Sequence, residues 1–254
     1  MKVTFLGTGT SQGIPVIACD CEVCKSQDKH DKRLRVSVLI EEQEKTLVVD
    51  AGPDFRYQML RAGVRQLDAL LFTHEHKDHV AGLDDIRAFN FKQQSEIDVY
   101  ADLRVQSALK KEFHYIFSEA KYPGIPRLKL HEIRADQPFT AAGIEIIPIS
   151  VMHYKLPVFG YRIGDFTYIT DAKTIDDENV AKIRGSKIVV INALQKHSHV
   201  SHLTLDEAIN LAHEIGAEQT YLTHISHRLG SHEEVSQELP SGVNLAFDGL
   251  VLEL

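Results

Sequence analysis

The sequence predicts an α+β fold in which two β-sheets pack face to face with helices on their outer sides, a four-layer αββα sandwich. Short β-branched runs dominate both halves of the chain, and each half also contains a stretch with helical spacing. No strict repeat or linker separates the halves, and this order favours the sandwich over a regular βαβ barrel. A chain of 254 residues suits a single domain, residues 1–254, better than two small ones.

The first half is predicted to consist mostly of strands. Its strand-like runs are short, β-branched and bounded by glycine or charged turns. They are KVTFLG (2–7), RVSVLIEE (35–42), KTLVVDAG (45–52), LDALLFTH (67–74) and DVYAD (98–102). The following segment, QSALKKEFHYIFSEA at 106–120, has the apolar spacing of a helix.

The second half repeats this order. Its predicted strands are LKLHEI (128–133), GIEIIPISVMH (143–153), FGYRIG (159–164), DFTYITDA (165–172), KIVVINAL (187–194), QTYLTHIS (219–226) and NLAFDGLVLEL (244–254). Gly164 and Asp165 predict a hairpin turn. The clearest helix follows Thr204, which forms a capping-box pattern with Glu207, and it ends at Gly216.

Composition and charge narrow the function classes. Apolar residues make up 43% and charged residues 25%, as in ordinary globular proteins. A net charge of −8 and the absence of a dense basic run argue against a long nucleic acid as partner, although a local site can still attract a small anion. No signal peptide and no run of about 20 apolar residues is visible, so we expect a cytoplasmic protein without a membrane partner.

The stretch FTHEHKDHVAG at 72–82 carries the strongest chemical signal. His74 and His76 are two residues apart at the end of a predicted strand, so their imidazoles point to the same side and can bind one metal. Asp78 and His79 lie beyond the turn and can face a second position. The pattern therefore predicts two adjacent metals rather than one crowded site or a solvated polar loop.

Further ligands must come from elsewhere, because a catalytic metal keeps about three protein ligands and an open position. His153, Asp171 and His224 each end or directly follow an apolar strand pattern. Functional groups gather in loops at one rim of a sheet. Taken with the first cluster, these three residues are predicted to be metal ligands.

The three cysteines, Cys19, Cys21 and Cys24, lie within six residues. A disulfide framework is not expected in a chain of this size and location. His227 follows His224 by three residues and could complete a closed Cys3His zinc site. The alternative is a set of free thiols beside a surface histidine, and spacing alone leaves both open.

The order H-x-H-x-D-H, then a lone His, a lone Asp and a lone His, resembles the metallo-β-lactamase superfamily over almost the whole chain. The resemblance implies that His74, His76 and His153 hold one metal and that Asp78, His79 and His224 hold the other. Asp171 would bridge them, with a bridging hydroxide, at about 3.5–4 Å separation. Lactamases of this superfamily typically use Cys where this chain has Asp171, which argues against β-lactam hydrolysis.

The loop after LGTGTSQGIP resembles that of the PhnP branch, the carbon–phosphorus lyase accessory phosphodiesterases. That branch implies a structural zinc held by Cys19, Cys21, Cys24 and His227. Asp50, in LVVDAG, matches a superfamily motif and is expected to accept a hydrogen bond from a ligand histidine. His202, just before a predicted helix N-terminus, is expected to be the general acid and phosphate contact, as in PhnP-like proteins and the related tRNA nucleases.

The resemblance implies a phosphodiesterase that acts on small cyclic phosphates by attack of metal-bound hydroxide, such as phosphoribosyl 1,2-cyclic phosphate or 2′,3′-cyclic nucleotides. Three alternatives stay open. A glyoxalase-II-like thioester hydrolase usually adds a C-terminal helical domain, and a tRNA 3′-processing endonuclease carries a basic flexible arm. Neither pattern is visible here. The third is a non-catalytic metal-binding protein on the same fold.

The metals and the assembly are less defined by the sequence. Nitrogen and oxygen ligands accept Zn or Mn, so the identity of the two divalent catalytic metals stays open. The segment HYIFSEAKYPGIPR at 114–127 is aromatic and contains Pro and Gly. It is interpreted either as a loop covering the substrate or as a contact within a homodimer.

Overall fold

In residues 1–118 and 122–254, which the computed structural model describes, the strands form two seven-stranded sheets. The first sheet contains β1 (Lys2–Gly7), β2 (Ser37–Glu42), β3 (Lys45–Val49), β4 (Ala69–Leu71), β5 (Ile97–Ala101) and β6 (Leu128–Glu132). The second contains β7 (Phe139–Ala141), β8 (Ile144–His153), β9 (Leu156–Ile163), β10 (Phe166–Tyr168), β11 (Ile188–Asn192), β12 (Gln219–Thr223) and β13 (Val243–Leu245). The last strand, β14 (Val251–Glu253), returns to the first sheet and pairs with β1.

Helices cover the outer face of each sheet. Those of the first half are α1 (Glu22–Lys25), α2 (Phe55–Ala62), α3 (Lys77–Val80), α4 (Arg87–Gln93), α5 (Leu103–Glu112) and α6 (His114–Phe117). Those of the second half are α7 (Asp177–Ile183), α8 (Leu205–Ile215) and α9 (His232–Glu238). Among the described residues, no helix combines the length and apolar character that crossing a membrane requires.

Three apolar cores separate the four layers. Val38 and Ile40 of β2 point into the core between the sheets, whereas Leu39 between them points to the outer core with α2 and α5. The second sheet alternates in the same way, and its outer face packs on α7, α8 and α9. Strands buried on both faces read as continuous apolar runs, as KTLVV and KIVVIN do. The predicted αββα sandwich is therefore confirmed.

Each sheet changes from antiparallel to parallel pairing partway across. In the first sheet, β1, β2 and β3 pair antiparallel, and β3, β4, β5 and β6 pair parallel. In the second, β7 to β10 pair antiparallel and β10 to β13 pair parallel. Parallel neighbours need crossover connections. Several helices therefore lie between strands instead of following them as a block, which corrects the predicted order within each half.

Short local features were predicted correctly, whereas the long helix was not. The hairpin turn at Gly164 and Asp165 is confirmed, as are the capping box of α8 and its left-handed stop at Gly216. The predicted helix at 106–120 is instead two helices, α5 and α6, which meet at Phe113. Its last residues and the middle of segment 114–127 lie outside the described residues. Helices α2, α4, α7 and α9 were missed because seven or eight residues provide too few turns to show a periodic apolar face.

Candidate metal centre

One rim of the sandwich collects the polar residues that follow its strands. Asp50 follows β3, His74 follows β4, His153 ends β8, Asp171 follows β10, and His224 directly follows β12. All five lie at the carboxyl ends of their strands, the edge at which open α/β sheets bind ligands. The two sheets therefore bring together residues that are up to 174 positions apart in the sequence.

Three of these residues adopt a backbone conformation that is unfavourable for their type. The φ angles of Asp50, Asp171 and His224 are 65°, 58° and 54°, in the left-handed region. Residues other than glycine rarely adopt this backbone conformation, although Asp and His do so more often than most. Such conformations concentrate at functional sites, where the surrounding structure holds them. The strain at three strand ends therefore marks this rim as a functional site.

The histidine-rich stretch changes direction where the sequence predicts. His76 is the residue before helix α3, and Asp78 and His79 lie in its single turn. Gly52 permits this arrangement, since a Cβ atom at that position would lie 2.0 Å from the carbonyl oxygen of Asp78. The strand end at Asp50 can therefore pack directly against the turn that carries two of the candidate ligands.

One cluster of ligand atoms surrounds the Nε2 atom of His79. That atom lies 3.3 Å from Asp78 Oδ2 and 3.3 Å from Asp171 Oδ2. His224 Nε2 lies 3.3 Å from Asp171 Oδ1 and 3.8 Å from Asp78 Oδ2. Ligands at about 2.1 Å from a tetrahedral ion lie about 3.4 Å from one another. The spacing of Asp78, His79, His224 and Asp171 is therefore that of a coordination shell.

A second cluster lies on the other side of Asp171. His74 Nε2 and His76 Nδ1 are 3.0 Å apart, and the His153 ring lies 5.3 Å from the His76 ring and 5.9 Å from the His74 ring, between centroids. His153 Nδ1 is 3.1 Å from the Asp171 carbonyl oxygen, which leaves its Nε2 for a metal. Ligand atoms of Asp171 also group within 4.8 Å with those of His74 and His79, and with those of His153 and His202. Asp171 is thus the residue that both clusters share.

The chemistry of these atoms fits divalent cations. The Nε2 atoms of His79 and His224 are buried and have no hydrogen-bond partner among the described residues. A buried polar atom without a partner is costly, and a metal ion would use the lone pair of each. Imidazole nitrogens and carboxylate oxygens together suit Zn and related first-row metals. The residues present therefore fit the metals that the sequence predicts.

The charges of the cluster oppose one another. Burial disfavours the charge of Asp171, but His224 and His79 hold the pKa of this carboxyl well below its ordinary value. For His79, burial works against the proton, yet Asp78, Asp50 and Asp171 raise its pKa well above the ordinary value. Burial and the neighbouring His79 lower the pKa of His74. The carboxylates therefore attract positive charge, which a bound cation supplies in place of the proton.

His202 lies close to the carboxylate of Asp171, the residue that both clusters share. Its Nδ1 is buried and lies 3.8 Å from Asp171 Oδ1, and it has no hydrogen-bond partner within residues 1–118 and 122–254. Its ring is 4.5 Å from that of His153 and 4.8 Å from that of His224. Burial and the neighbouring His224 lower the pKa of His202 to about 3. Without a ligand, therefore, His202 is a neutral imidazole at the mouth of the centre.

A separate cluster joins the three cysteines to His227. The Nδ1 atom of His227 lies 3.3 Å from Cys19 Sγ, 3.4 Å from Cys21 Sγ and 3.6 Å from Cys24 Sγ. A tetrahedral zinc with one nitrogen and three sulfur ligands places these atoms about 3.5 Å apart. The backbone N–H of Cys24 contributes most to lowering the pKa of the Cys21 thiol, to about 6, and so favours the thiolate that binds metal.

Asp50 orients His79 through Nδ1, the ring nitrogen that faces away from the centre. Its Oδ2 lies 2.7 Å from His79 Nδ1 and accepts a hydrogen bond from the Thr73 hydroxyl at 2.8 Å, while Oδ1 accepts the Thr73 N–H. Thr73 Oγ1 is in turn 3.0 Å from His74 Nδ1. Both histidines therefore have Nδ1 engaged and Nε2 directed at the centre, which is how outer carboxylates orient metal ligands.

Replacing Asp50 by asparagine tests this role. The variant should bind the metals of the centre about 10- to 100-fold more weakly, because asparagine has only one acceptor oxygen, so either the His79 N–H or the Thr73 N–H loses its hydrogen bond. Affinity is measured by competition with a chromogenic chelator. The matched control is Asp98→Asn, since Asp98 Oδ1 lies at the same 2.7 Å from His131 Nε2, outside the centre. Equal affinities in both variants would contradict the role of Asp50.

Three supporting residues were not identified from the sequence. Glu75, inside the histidine motif, forms an ion pair with Arg104 of α5, and Arg104 Nη2 also donates to the Pro157 carbonyl at 2.5 Å. Asn192 clamps the residue after Asp171, accepting from the Ala172 N–H at 2.7 Å and donating to its carbonyl at 3.0 Å. Asn192 ends β11 as a polar residue after an apolar run, the same signal that identified His224. The partner of Glu75 has no such local signal.

A cleft of about 480 Å³ opens onto the centre. His76 and His153 lie in it together with Leu156, Ser201 and three exposed residues, Tyr154, Lys155 and Val200. A smaller pocket of about 280 Å³ lies between α2 and α4 and contains none of the candidate ligands. We take the cleft beside the histidines as the access route because two candidate ligands line it.

The chain is similar to known proteins in sequence and in fold. A family model described as "Beta-lactamase superfamily domain" matches residues 45–225. A solved structure of a diphosphatase from the PhnP family is 39% identical, with a TM-score of 0.93, and the alignment covers 100% of this chain and 97% of that one. A Porphyromonas gingivalis protein named octanoyltransferase is 41% identical over 98% of this chain and 51% of its own length. Ribonuclease Z of Acaryochloris marina is 26% identical over 65% of this chain and 48% of its own length.

The chain thus spans about half the length of these two curated relatives. The name of each describes a longer protein, whereas the PhnP-family structure matches from end to end. The superfamily model covers the histidine motif and the later ligand candidates up to His224. The chain therefore belongs to the β-lactamase superfamily of metal-dependent hydrolases, with the PhnP-family diphosphatase as a relative over its full length.

Proposed function

We propose that the protein is a dinuclear metal-dependent phosphodiesterase that hydrolyses small cyclic phosphate esters. The observation that supports the proposal is the position of Asp171 between two sets of ligand atoms, each of which could hold one ion. A carboxylate shared in this way is the hallmark of two-metal hydrolytic sites.

Under the proposal, His74, His76 and His153 hold one metal, Asp78, His79 and His224 hold the other, and Asp171 touches both. The convergence of the His74, His76 and His153 rings supports the first set, and the grouping of Asp78, His79 and His224 within 4.8 Å supports the second. Two divalent cations, when bound, polarise a phosphoryl oxygen and supply a water of lowered pKa. The ligands of this chain fix where that chemistry takes place.

The charge of the loaded centre favours an anionic substrate. Two cations bring +4, and Asp78 and Asp171 bring −2, so the centre is positive within a protein of net charge −8. Two of the relatives are named a diphosphatase and a ribonuclease, both of which act at phosphorus. The name octanoyltransferase denotes acyl transfer by a protein about twice as long as the match. These observations favour a phosphate ester, with a thioester as the alternative to test.

His202 is proposed to contact the phosphate and to deliver the proton that the leaving oxygen needs. It lies two residues before Thr204, the N-cap of α8, so the helix N-terminus favours negative charge nearby. Its Nδ1 has no hydrogen-bond partner in the part of the chain that the structure describes, so it could bind a substrate oxygen. An anion bound there would also offset the burial that disfavours the protonated imidazole.

Replacing His202 by alanine should lower kcat by about 10²- to 10⁴-fold, as expected for the loss of a general acid. The metal content should be unchanged, because the proposed ligands are intact. Activity is measured with bis(p-nitrophenyl) phosphate and metals by mass spectrometry. His197→Ala is the matched control, since His197 belongs to the same loop but is exposed. Loss of a metal in the His202 variant would instead make it a ligand.

The Cys3His cluster is proposed to hold a structural zinc. The distances around His227 Nδ1 support it, and Cys24 is buried beside it. Burial raises the pKa of Cys24 to about 11 in the absence of an ion. A zinc ion would favour the thiolate instead. The site is distinct from the centre, although His224 and His227 belong to one loop.

The proposal is tested by a metal count and a substrate screen. Native mass spectrometry should find three metals in each chain, of which a mild chelator removes two first. The screen should include a cyclic phosphate, a diphosphate, a thioester and a tRNA precursor. Hydrolysis of the cyclic phosphate with little turnover of the others would support the proposal. Preferred cleavage of the thioester, or fewer than two metals beyond the zinc, would overturn it.

A further inference from the structure

The hairpin between β8 and β9 places an aromatic ring at the mouth of the cleft. His153 pairs with Leu156, so the turn consists of Tyr154 and Lys155 alone. Tyr154 directly follows a proposed metal ligand, and its side chain lines the same cleft as His76 and His153. A ring in this position meets whatever group projects from a phosphate bound at the centre.

Both the backbone conformation and the exposure of Tyr154 are unfavourable for a tyrosine. Its φ angle is 57°, a left-handed conformation that turns normally assign to Gly, Asn or Asp. Its side chain is also 56% exposed, so packing does not compensate for the strain. Strained residues cluster at active sites and ligand clamps, where the surrounding structure holds them. The strain and the exposure together point to a binding role for the ring.

The surroundings of the ring suit a planar, partly apolar group next to an anion. Val200, 65% exposed, and Leu156 provide apolar surface in the same cleft. The Nζ atom of Lys155 lies 5.2 Å from the centroid of the Tyr154 ring and brings a positive charge to the cleft. Nucleobases stack on aromatic side chains and also interact favourably with a nearby cation. A sugar phosphate without a base gains nothing from such a surface.

We propose that Tyr154, with Lys155 beside it, selects substrates that carry a nucleobase, by stacking the base at the mouth of the cleft. The inference rests on the proposed function, since it assigns the group attached to the phosphate. Among the cyclic phosphates considered above, it favours 2′,3′-cyclic nucleotides over base-free ribose 1,2-cyclic phosphate. Tyr154 is a specificity residue and takes no part in the reaction itself.

Binding of AMP and of ribose 5-phosphate to the metal-loaded protein, measured by calorimetry, isolates the contribution of the base. The native protein should bind AMP roughly 5- to 100-fold more tightly, the range expected for one stacked base. Tyr154→Phe should keep this preference, and Tyr154→Asn should lose it. Asparagine suits a left-handed φ, so the second variant removes the ring without adding backbone strain.

The chain offers a matched control for these variants. Tyr57 is 57% exposed and lies under a cation, Arg61, at 5.9 Å from ring centroid to guanidinium carbon, but it does not line the cleft. Tyr57→Asn should leave the preference for AMP unchanged. Equal binding of the two ligands by the native protein, or a preference that survives in Tyr154→Asn, would overturn the inference.

Kinetics separate this inference from the proposed function. The KM for 2′,3′-cyclic AMP should rise roughly 5- to 100-fold in Tyr154→Asn, while that for glycerol 1,2-cyclic phosphate, which has no base, should not change. If neither ester is hydrolysed but the binding preference for AMP depends on Tyr154, the phosphodiesterase proposal fails and the base-binding inference stands. If both esters are hydrolysed and Tyr154→Asn slows both equally, the reverse holds.

Discussion

Replacing Asp171 by alanine is expected to abolish hydrolysis of phosphodiesters, with a loss in kcat/KM of roughly a thousandfold or more. Asp171 Oδ1 lies 3.3 Å from His224 Nε2, and Oδ2 lies 3.3 Å from His79 Nε2. Its ligand atoms also group with those of His74 and, in another set, with those of His153, two of the residues proposed to hold the other metal. Its removal therefore withdraws one ligand from each proposed metal, and both metals should bind more weakly.

The protein should stay folded in this variant. Asp171 lies after β10, and its carboxylate accepts a hydrogen bond from the Thr170 hydroxyl at 2.7 Å and faces the histidines of the centre, so the apolar cores do not depend on it. Asp171→Asn is a useful companion, because asparagine tolerates the φ of 58° and keeps the volume while removing the charge. The two variants should lose activity alike if the charge, rather than the packing, is what the centre needs.

Asp165→Ala provides the matched control, at the other end of the same strand. Asp165 precedes β10 and forms an exposed ion pair with Lys187. Surface pairs of this kind contribute about 1 kcal/mol or less. Activity and metal content should therefore match those of the native protein. Full activity in Asp171→Ala, with both catalytic metals still counted by mass spectrometry, would contradict the shared role of Asp171.

The sequence was sufficient to predict which residues would meet, because the signal for each is local. His153, Asp171 and His224 all come at the end of an apolar run, and strand ends gather at a rim whatever the order of the strands. The αββα layering was likewise predicted, from the strand-rich runs in both halves of the chain and from the resemblance to the metallo-β-lactamase superfamily. The order of the strands within each sheet could not, since pairing between distant strands is decided by packing that no local window contains.

The finer geometry of the site needed the structure. The left-handed φ angles of Asp50, Asp171 and His224 depend on how the surrounding structure holds each strand end. A glycine in the sequence often indicates such a conformation, whereas an aspartate or a histidine does not. The ion pair of Glu75 with Arg104 joins residues 29 positions apart on different elements. The exposure and the strain of Tyr154 could not be predicted either, since the sequence shows only a residue between two predicted strands.

Replacing Cys21 by serine is expected to remove one zinc per chain and to lower Tm by roughly 6–12 °C, while chemistry at the centre changes little. A serine hydroxyl is a poor zinc ligand at neutral pH, so the four-ligand site loses its closed geometry. A loss of about 3 kcal/mol corresponds to this shift in a domain of this size. Zinc content is measured by mass spectrometry and Tm by circular dichroism.

The stability effect follows from what the zinc would join. Residues 8–10 pair with the loop after β12, through Ile225 N–H to the Thr8 carbonyl at 2.9 Å and Thr10 N–H to the Ile225 carbonyl at 3.0 Å. His227 belongs to this loop, and the three cysteines belong to the N-terminal segment. Without the ion, the two segments keep these backbone bonds but lose the cross-link between them, and the N-terminal segment should open first on heating.

The Cys21 and Asp171 variants should lose complementary metals. Cys21→Ser should keep the two metals of the centre and most of kcat, with a modest loss of metal affinity at most, because His224 lies three residues from His227 on the loosened loop. Asp171→Ala should keep the zinc and the native Tm within a few degrees. If Cys21→Ser retained all three metals, the cysteines would be free thiols. If it instead lost activity as completely as Asp171→Ala, the two sites would form one functional unit.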